Sequence, residues 1–168
     1  MQESNYFLLS GKEQKVSRQE SLFSFVPQVE VTMVGEVEWS NSKYSSSEEV
    51  AKSKLAQDLL KSDREKFICI HLNVKNQLIS FEVVSTGSLT SSIVHPREVF
   101  KAAILANAAA LVFIHNHPSG DPKPSLDDIE ITKRLEKAGN LLGIEVLDHV
   151  IIGRDGFYSF RQHNLISS

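Results

Sequence analysis

Hydrophobic positions along the chain switch between a period of two and a helical period, and the switches mark out the elements. In VEVTMVGEVEW, Val29, Val31, Met33, Val37 and Trp39 share one face of a strand, with Gly35 as a bulge in the same register. SNSKYSSSEE is polar and ends in helix-capping residues. EEVAKSKLAQDLL then carries Val50, Leu55, Leu59 and Leu60 at helical spacings, predicting one amphipathic helix that ends near Ser62 or Asp63. FICIHLNVKNQLISFEVVSTGS predicts a hairpin turning at Lys75 and Asn76. HPREVFKAAILANAAA opens with Pro96 at a favoured first-turn position and continues as alanine-rich helix. ALVFIHNH is short and almost wholly apolar, as suits a strand in the middle of a sheet covered on both faces. SLDDIEITKRLEKAG predicts a further helix stopped by its glycine, and IEVLDHVIIG, RDG and FYSF a closing strand pair.

The order is strand, helix, hairpin, helix, strand, helix, hairpin, without an internal repeat. It implies an α+β fold, a mixed central sheet flanked by helices. Residues 1–25 are polar without a sustained period and predict a flexible N-terminal segment. Residues 26–44 hold the first strand and a linker, and 45–168 the main domain.

Length and composition narrow the class. The 168 residues, 41% of them hydrophobic, support one domain with a real core. A net charge of −3 gives no basic excess for phosphate backbones, so nucleic acid is unsupported as a partner. Cys69 is the single cysteine, inside FICIHL, which excludes a disulfide framework and a thiolate zinc cluster and predicts a small buried hydrophobe. MQESNYFLLSGKEQK lacks the basic flank and continuous apolar region of a leader, and nowhere do about 18 apolar residues run together. A cytoplasmic protein with no membrane partner is expected.

The candidate chemistry lies in HNHPSGDPKPSLDD. Side chains at i and i+2 of a strand share a face, so His115 and His117 can aim both imidazoles at one point, as two ligands of a tetrahedral zinc would. Spacing alone leaves a metal site and a pair of polar strand-end residues equally open. Asp121, Asp127 and Asp128 compete as a third ligand. Asp121 precedes a proline, as turn residues do, and Ser125 with Asp128 also fits a capping box, with Asp127 a first-turn acid. HExxH is absent, one cysteine cannot supply PCxxC, and the letters HNH are not the spread motif of the nucleases that bear that name.

His115-Asn116-His117, seven residues beginning with Pro118, then Ser125-Leu126-Asp127-Asp128 resembles the JAMM (MPN+) metalloprotease motif H-x-H-x7-S-x-x-D. Together with IVHPREVFKAA and LDHVIIG, the text is similar to the RadC family of bacterial JAMM-domain proteins, over about residues 45–163. The resemblance implies a JAMM/MPN, cytidine-deaminase-like fold. It implies His115, His117 and Asp128 as ligands of one Zn2+ per chain, with water in the fourth position. It also implies a glutamate near the end of the first domain helix, which SDREKFICI supplies as Glu65; Glu49, Glu82 and Glu98 match less well. Glu65 would be general base, and Ser125 would donate to the oxyanion or hold the water. Pro118, Pro122 and Pro124 would brace the loop. His149 is expected to pack or to support a ligand, and His71, His95 and His163 to be structural or surface residues.

The implied activity is that of a zinc metallopeptidase cleaving amide or isopeptide bonds of a peptide or protein substrate. A DNA-associated accessory role is the alternative that the family name suggests. Longer members carry an N-terminal region resembling helix-hairpin-helix units; the first 44 residues here are too short for one and lack its glycine-rich hairpins.

Overall fold

The computed structural model describes residues 43–87 and 94–167, and the backbone alone at 7–9 and 12–14. The chain divides into two compact units, Met1–Gly35 and Glu36–Ser168. In the first, β1 (Phe7–Leu9) pairs antiparallel with β2 (Lys12–Gln14), inside the stretch where the sequence shows no period. Strands of three residues are too short for alternation to register. The strand expected over Val29 to Trp39 and the rest of segment 1–25 lie outside the described residues.

The second unit opens with α1 (Ser47–Lys52) and α2 (Lys54–Leu59), where the hydrophobic spacing predicts a single helix. The break is Ser53, whose backbone is extended (ψ 156°). Its hydroxyl donates to Val50 O at 2.7 Å and accepts from Ala56 N at 3.2 Å, closing one helix and capping the next. Val50, Leu55 and Leu59 are buried, while Leu60 stays partly exposed.

The hairpin follows as β3 (Lys66–Leu72) and β4 (Leu78–Thr86), with Asn76 left-handed (φ 57°) in the turn. Helix α3 (Pro96–Leu105) is capped by the His95 ring, which accepts from Arg97 N. Strand β5 (Ala110–Asn116) is buried over its whole length. Helix α4 (Leu126–Leu142) runs through Gly139, expected as its stop, and ends at Gly143 (φ 70°). A Cβ at position 139 would lie 2.5 Å from the Ile144 carbonyl oxygen, so glycine there lets the chain double back closely against the helix. Strands β6 (Glu145–Gly153) and β7 (Gly156–Ser159) close the unit.

The five-stranded sheet has the order β4-β3-β5-β6-β7, with β5 and β6 parallel and the other pairs antiparallel. Its apolar strand is thus the central one, as its composition predicts. One face packs Phe67, Phe113 and Ile151 against Val99 and Phe100 of α3 and Ile131 and Leu135 of α4. The other packs Ile68, Ile70, Val112 and Ile114 against Val50 of α1 and Leu55 and Leu59 of α2. Each fully buried large side chain contributes roughly 1.5–3 kcal/mol, so both layers are needed to hold the sheet. A register shift after Leu111 pairs Val112 with Asp148 and turns Asp148 toward α1. There its carboxylate accepts from the Ser47 and Ser159 hydroxyls, each at 2.7 Å, and from His149 N and Arg161 N.

Candidate metal centre

His115 is the penultimate residue of β5 and wholly buried. His117 lies one residue past the strand, yet its N–H donates to Ile152 O at 2.9 Å, so it keeps the strand direction and faces the same side. The Nε2 atoms of the two rings approach to 2.9 Å. Asp128, in the first turn of α4, brings Oδ1 to 3.3 Å from His115 Nε2 and Oδ2 to 3.6 Å from His117 Nε2. These three residues form the group able to hold a metal ion among the described residues, with donor atoms within 4.8 Å of one another.

The loop between the histidines and α4 is fixed by backbone contact. Gly153 of β6 lies so close to the loop that a Cβ would fall 2.1 Å from Gly120 O. Arg154 Nη2 donates to Ser119 O at 3.0 Å, and Asp155 N to Gly120 O. The prolines therefore act beside a glycine contact that the sequence gives no sign of. Asp121 is a turn residue as expected, its carboxylate accepting from Lys123 N.

The hydrogen bonds around the imidazoles fix which nitrogen carries a proton. His115 Nδ1 lies 2.7 Å from His149 Nε2, and His149 Nδ1 lies 2.6 Å from Thr132 Oγ1. The Thr132 hydroxyl donates to the backbone O of Asp128 at 2.6 Å. A carbonyl can only accept, so the threonine hydrogen is committed to it and the threonine oxygen must accept from His149 Nδ1–H. His149 Nε2 then has no hydrogen and accepts from His115 Nδ1–H, which leaves His115 Nε2 bare. His117 Nδ1 donates to the carbonyl of Asp121 at 2.8 Å, so its Nε2 also faces inward. Two imidazole lone pairs and a carboxylate thus converge, an arrangement that repels itself unless a cation lies among the three.

The electrostatics agree. Burial, then the neighbouring His149, pushes the His115 imidazole well below its ordinary range. Burial pulls His149 down to about 4, and its ring stacks on Phe160 with centroids 4.7 Å apart and meets Phe67 edge-on. Both stay neutral near pH 7, as ligand and supporting imidazoles must. His117 is raised, first by its bond to Asp128 and against its own burial, with the charge of Glu65 adding to the effect. Burial acts to raise the Asp128 carboxyl, but His117, His115 and the Ser125 hydroxyl and amide outweigh it and hold it well below the carboxylate range.

Ser125 is the N-cap of α4. Its hydroxyl donates to Asp128 Oδ2 at 2.6 Å and accepts from Asp128 N, while Ser125 N donates to the same carboxylate. The capping box and the ligand set share residues, so folding the helix orients Asp128. Asp127 is exposed in the first turn. Glu65 is half-buried just before β3. In the β3–β5 register Phe67 faces His115, and Glu65, two residues before Phe67, lies near enough for its charge to act on His117. Glu98 is engaged on the surface with Arg97 and Lys101, Glu49 accepts from Ser45 N, and Glu82 lies in β4 beside Cys69. Thr132 and Asn116 carry no motif, and sequence reasoning passes over both.

The domain model described as RadC-like JAB domain matches residues 44–165, most of the chain. The chain belongs to the RadC-like JAB domain family. Relatives of this family include a UPF0758 protein of Desulforamulus reducens, 54% identical over 110 residues, covering 66% of this chain and 48% of the relative. Another, from Caldanaerobacter subterraneus, is 51% identical over 128 residues, covering 71% of this chain and 54% of its own length. A third, from Symbiobacterium thermophilum, is 57% identical over 103 residues, or 61% and 44% of the two chains. The RadC-like chain spans about half the length of the relatives it matches. No helix among its described residues is long and apolar enough to cross a membrane.

Proposed function

We propose that this RadC-like domain is a zinc-dependent hydrolase of amide or isopeptide bonds in a peptide or protein substrate. The observation that carries this reading is the pair of bare imidazole nitrogens facing the Asp128 carboxylate, with a second acid, Glu65, beside His117. His115, His117 and Asp128 would hold the ion, two neutral nitrogens and one oxygen being a catalytic zinc set that leaves one position open. Two histidines and a carboxylate also suit ferrous iron; a free acid placed as a base favours hydrolysis. When bound, zinc lowers the pKa of its water from 15.7 to about 7.

Glu65 would be the group to accept a proton from the attacking water and return it to the leaving amine. The Ser125 hydroxyl, whose hydrogen rests on Asp128 Oδ2, would be the donor available to an oxyanion at the site. His149 and Thr132 keep His115 in its ligating tautomer. The net charge of −3 favours a peptide substrate over DNA.

Zinc-loaded wild type should cleave members of a fluorogenic peptide library, and Glu65→Gln should retain zinc but lose cleavage by about 10²–10⁴-fold. Equal cleavage by Glu65→Gln would remove Glu65 from the mechanism.

A further inference from the structure

The antiparallel ladder between β3 and β5 must stop at the metal centre. Beyond Asn116 the chain leans toward β6, where His117 N donates to Ile152 O, and Pro118 has no N–H to offer. Yet residues 64–66, on the other side of that gap, have to keep a defined path if Glu65 is to stay within electrostatic reach of His117. The side chain of Asn116 supplies the missing rung. Its Oδ1 accepts from Lys66 N at 2.9 Å, and its Nδ2 donates to Arg64 O at 3.0 Å. These are the backbone groups immediately after and immediately before Glu65. On the opposite side, Gly87 N donates to Glu65 O at 2.8 Å.

We infer that Asn116 is the positioning residue for Glu65: its carboxamide clamps the backbone on both sides of the glutamate and holds the carboxylate at the metal centre. This rests on the reading of Glu65 as general base. Asn116 is 2% exposed, so its carboxamide is satisfied by these two bonds rather than by bulk water. A carboxamide is needed because one group must accept at Lys66 and donate at Arg64 in the same plane. Asn116 sits between the two histidine ligands in sequence, but its bonds go to the β3 side and none to His115, His117 or Asp128. Loss of the clamp therefore moves the base and leaves the ligands.

The test uses the full zinc-loaded chain and acetohydroxamic acid, which binds a metal through two oxygens and gives its hydroxyl proton to a neighbouring base. Zinc affinity is measured separately by competition with a chelator. Glu65→Gln should weaken acetohydroxamate about tenfold with zinc affinity unchanged. Asn116→Ala should weaken it to a similar degree, also with zinc unchanged, and Asn116→Ala with Glu65→Gln should be no weaker than Glu65→Gln alone. Asn116→Asp keeps the acceptor at Lys66 and loses the donor at Arg64; it should give an intermediate loss, and it decides the matter if the alanine variant does not fold. Wild-type acetohydroxamate affinity in both Asn116 variants, or losses that add in full to that of Glu65→Gln, would overturn the clamp while leaving the hydrolase reading intact. A wild-type chain that takes up no zinc would overturn both.

Discussion

Two buried aspartates, 3% and 4% exposed, lie within one domain and do opposite things. Asp148 receives four hydrogens, from the Ser47 and Ser159 hydroxyls and the backbone of His149 and Arg161, so its charge is answered by the fold itself. Asp128 receives hydrogens from Ser125 on one oxygen, and its remaining face meets two imidazole nitrogens whose lone pairs also point inward. A buried acid surrounded by donors is an anchor, here tying α1 to β6 and β7. A buried acid set beside other inward-facing acceptors is suited to share a cation with them. Burial does not separate the two; the direction of the surrounding hydrogens does.

Removing each acid in turn should therefore fail in different ways. Asp148→Ala leaves the buried His149 N–H, the part-buried Arg161 N–H and two hydroxyls without their acceptor, and should cost about 3–5 kcal/mol in urea unfolding. The protein that remains folded should still take up zinc. Asp128→Ala loses a capping box, worth about 1 kcal/mol, but should lose zinc altogether. Similar stability losses in the two variants would erase the distinction.

Acid should act on the histidines next. Burial holds His149 and His71 down to about 4, whereas the unfolded chain takes up these protons near 6.5. Over that interval the unfolded state binds more protons, so metal-free stability falls as the pH drops from 6.5 toward 4, on the order of 3 kcal/mol for each histidine. His117 has the opposite sign: its raised pKa adds stability below 6.5, which is lost as the pH rises through its folded value. Asp128, held low, loses its contribution only in stronger acid, as the pH falls through its folded value. Denaturant midpoints across this range should fall toward acid in wild type and less steeply in His149→Phe.

Zinc at a hundredfold over its Kd should raise stability by about 2.7 kcal/mol, seen as a shift in Tm that a chelator reverses. Asp148→Ala should keep that shift and Asp128→Ala should lose it. Smaller still, His149→Phe preserves the aromatic packing while removing the acceptor for His115 Nδ1–H, and should weaken zinc about 10–100-fold. Thr132→Val should act in the same direction, because the hydrogen-bond chain ends on its hydroxyl.

Much of this domain was legible in the sequence. The apolar run ALVFIHNH named the central strand, and the resemblance to H-x-H-x7-S-x-x-D, rather than the histidine spacing alone, pointed to the three residues that converge. What stayed hidden depends on contacts that leave no periodic mark. Ser53 breaks a helix that hydrophobic spacing alone makes continuous, because one hydroxyl can serve two helix ends. Gly139 passes for a stop because glycine commonly ends helices, whereas here it admits a backbone carbonyl. His149, Thr132 and Asn116 come from β6, α4 and β5, and only the sheet register brings each to its partner. The capping box and the ligand set were competing readings of Ser125 and Asp128; the folded chain forms the capping box and at the same time brings Asp128 within reach of both histidines.

The central claim is that Asp128, unlike Asp148, belongs to a group suited to hold a metal ion. The most direct measurement is the metal content of the metal-free protein after reconstitution with zinc and removal of excess, read by mass spectrometry for wild type, Asp128→Ala and Asp148→Ala. One zinc per chain in wild type and in folded Asp148→Ala, with none in Asp128→Ala, is the predicted result. Zinc retained by Asp128→Ala, or absent from wild type, would contradict it.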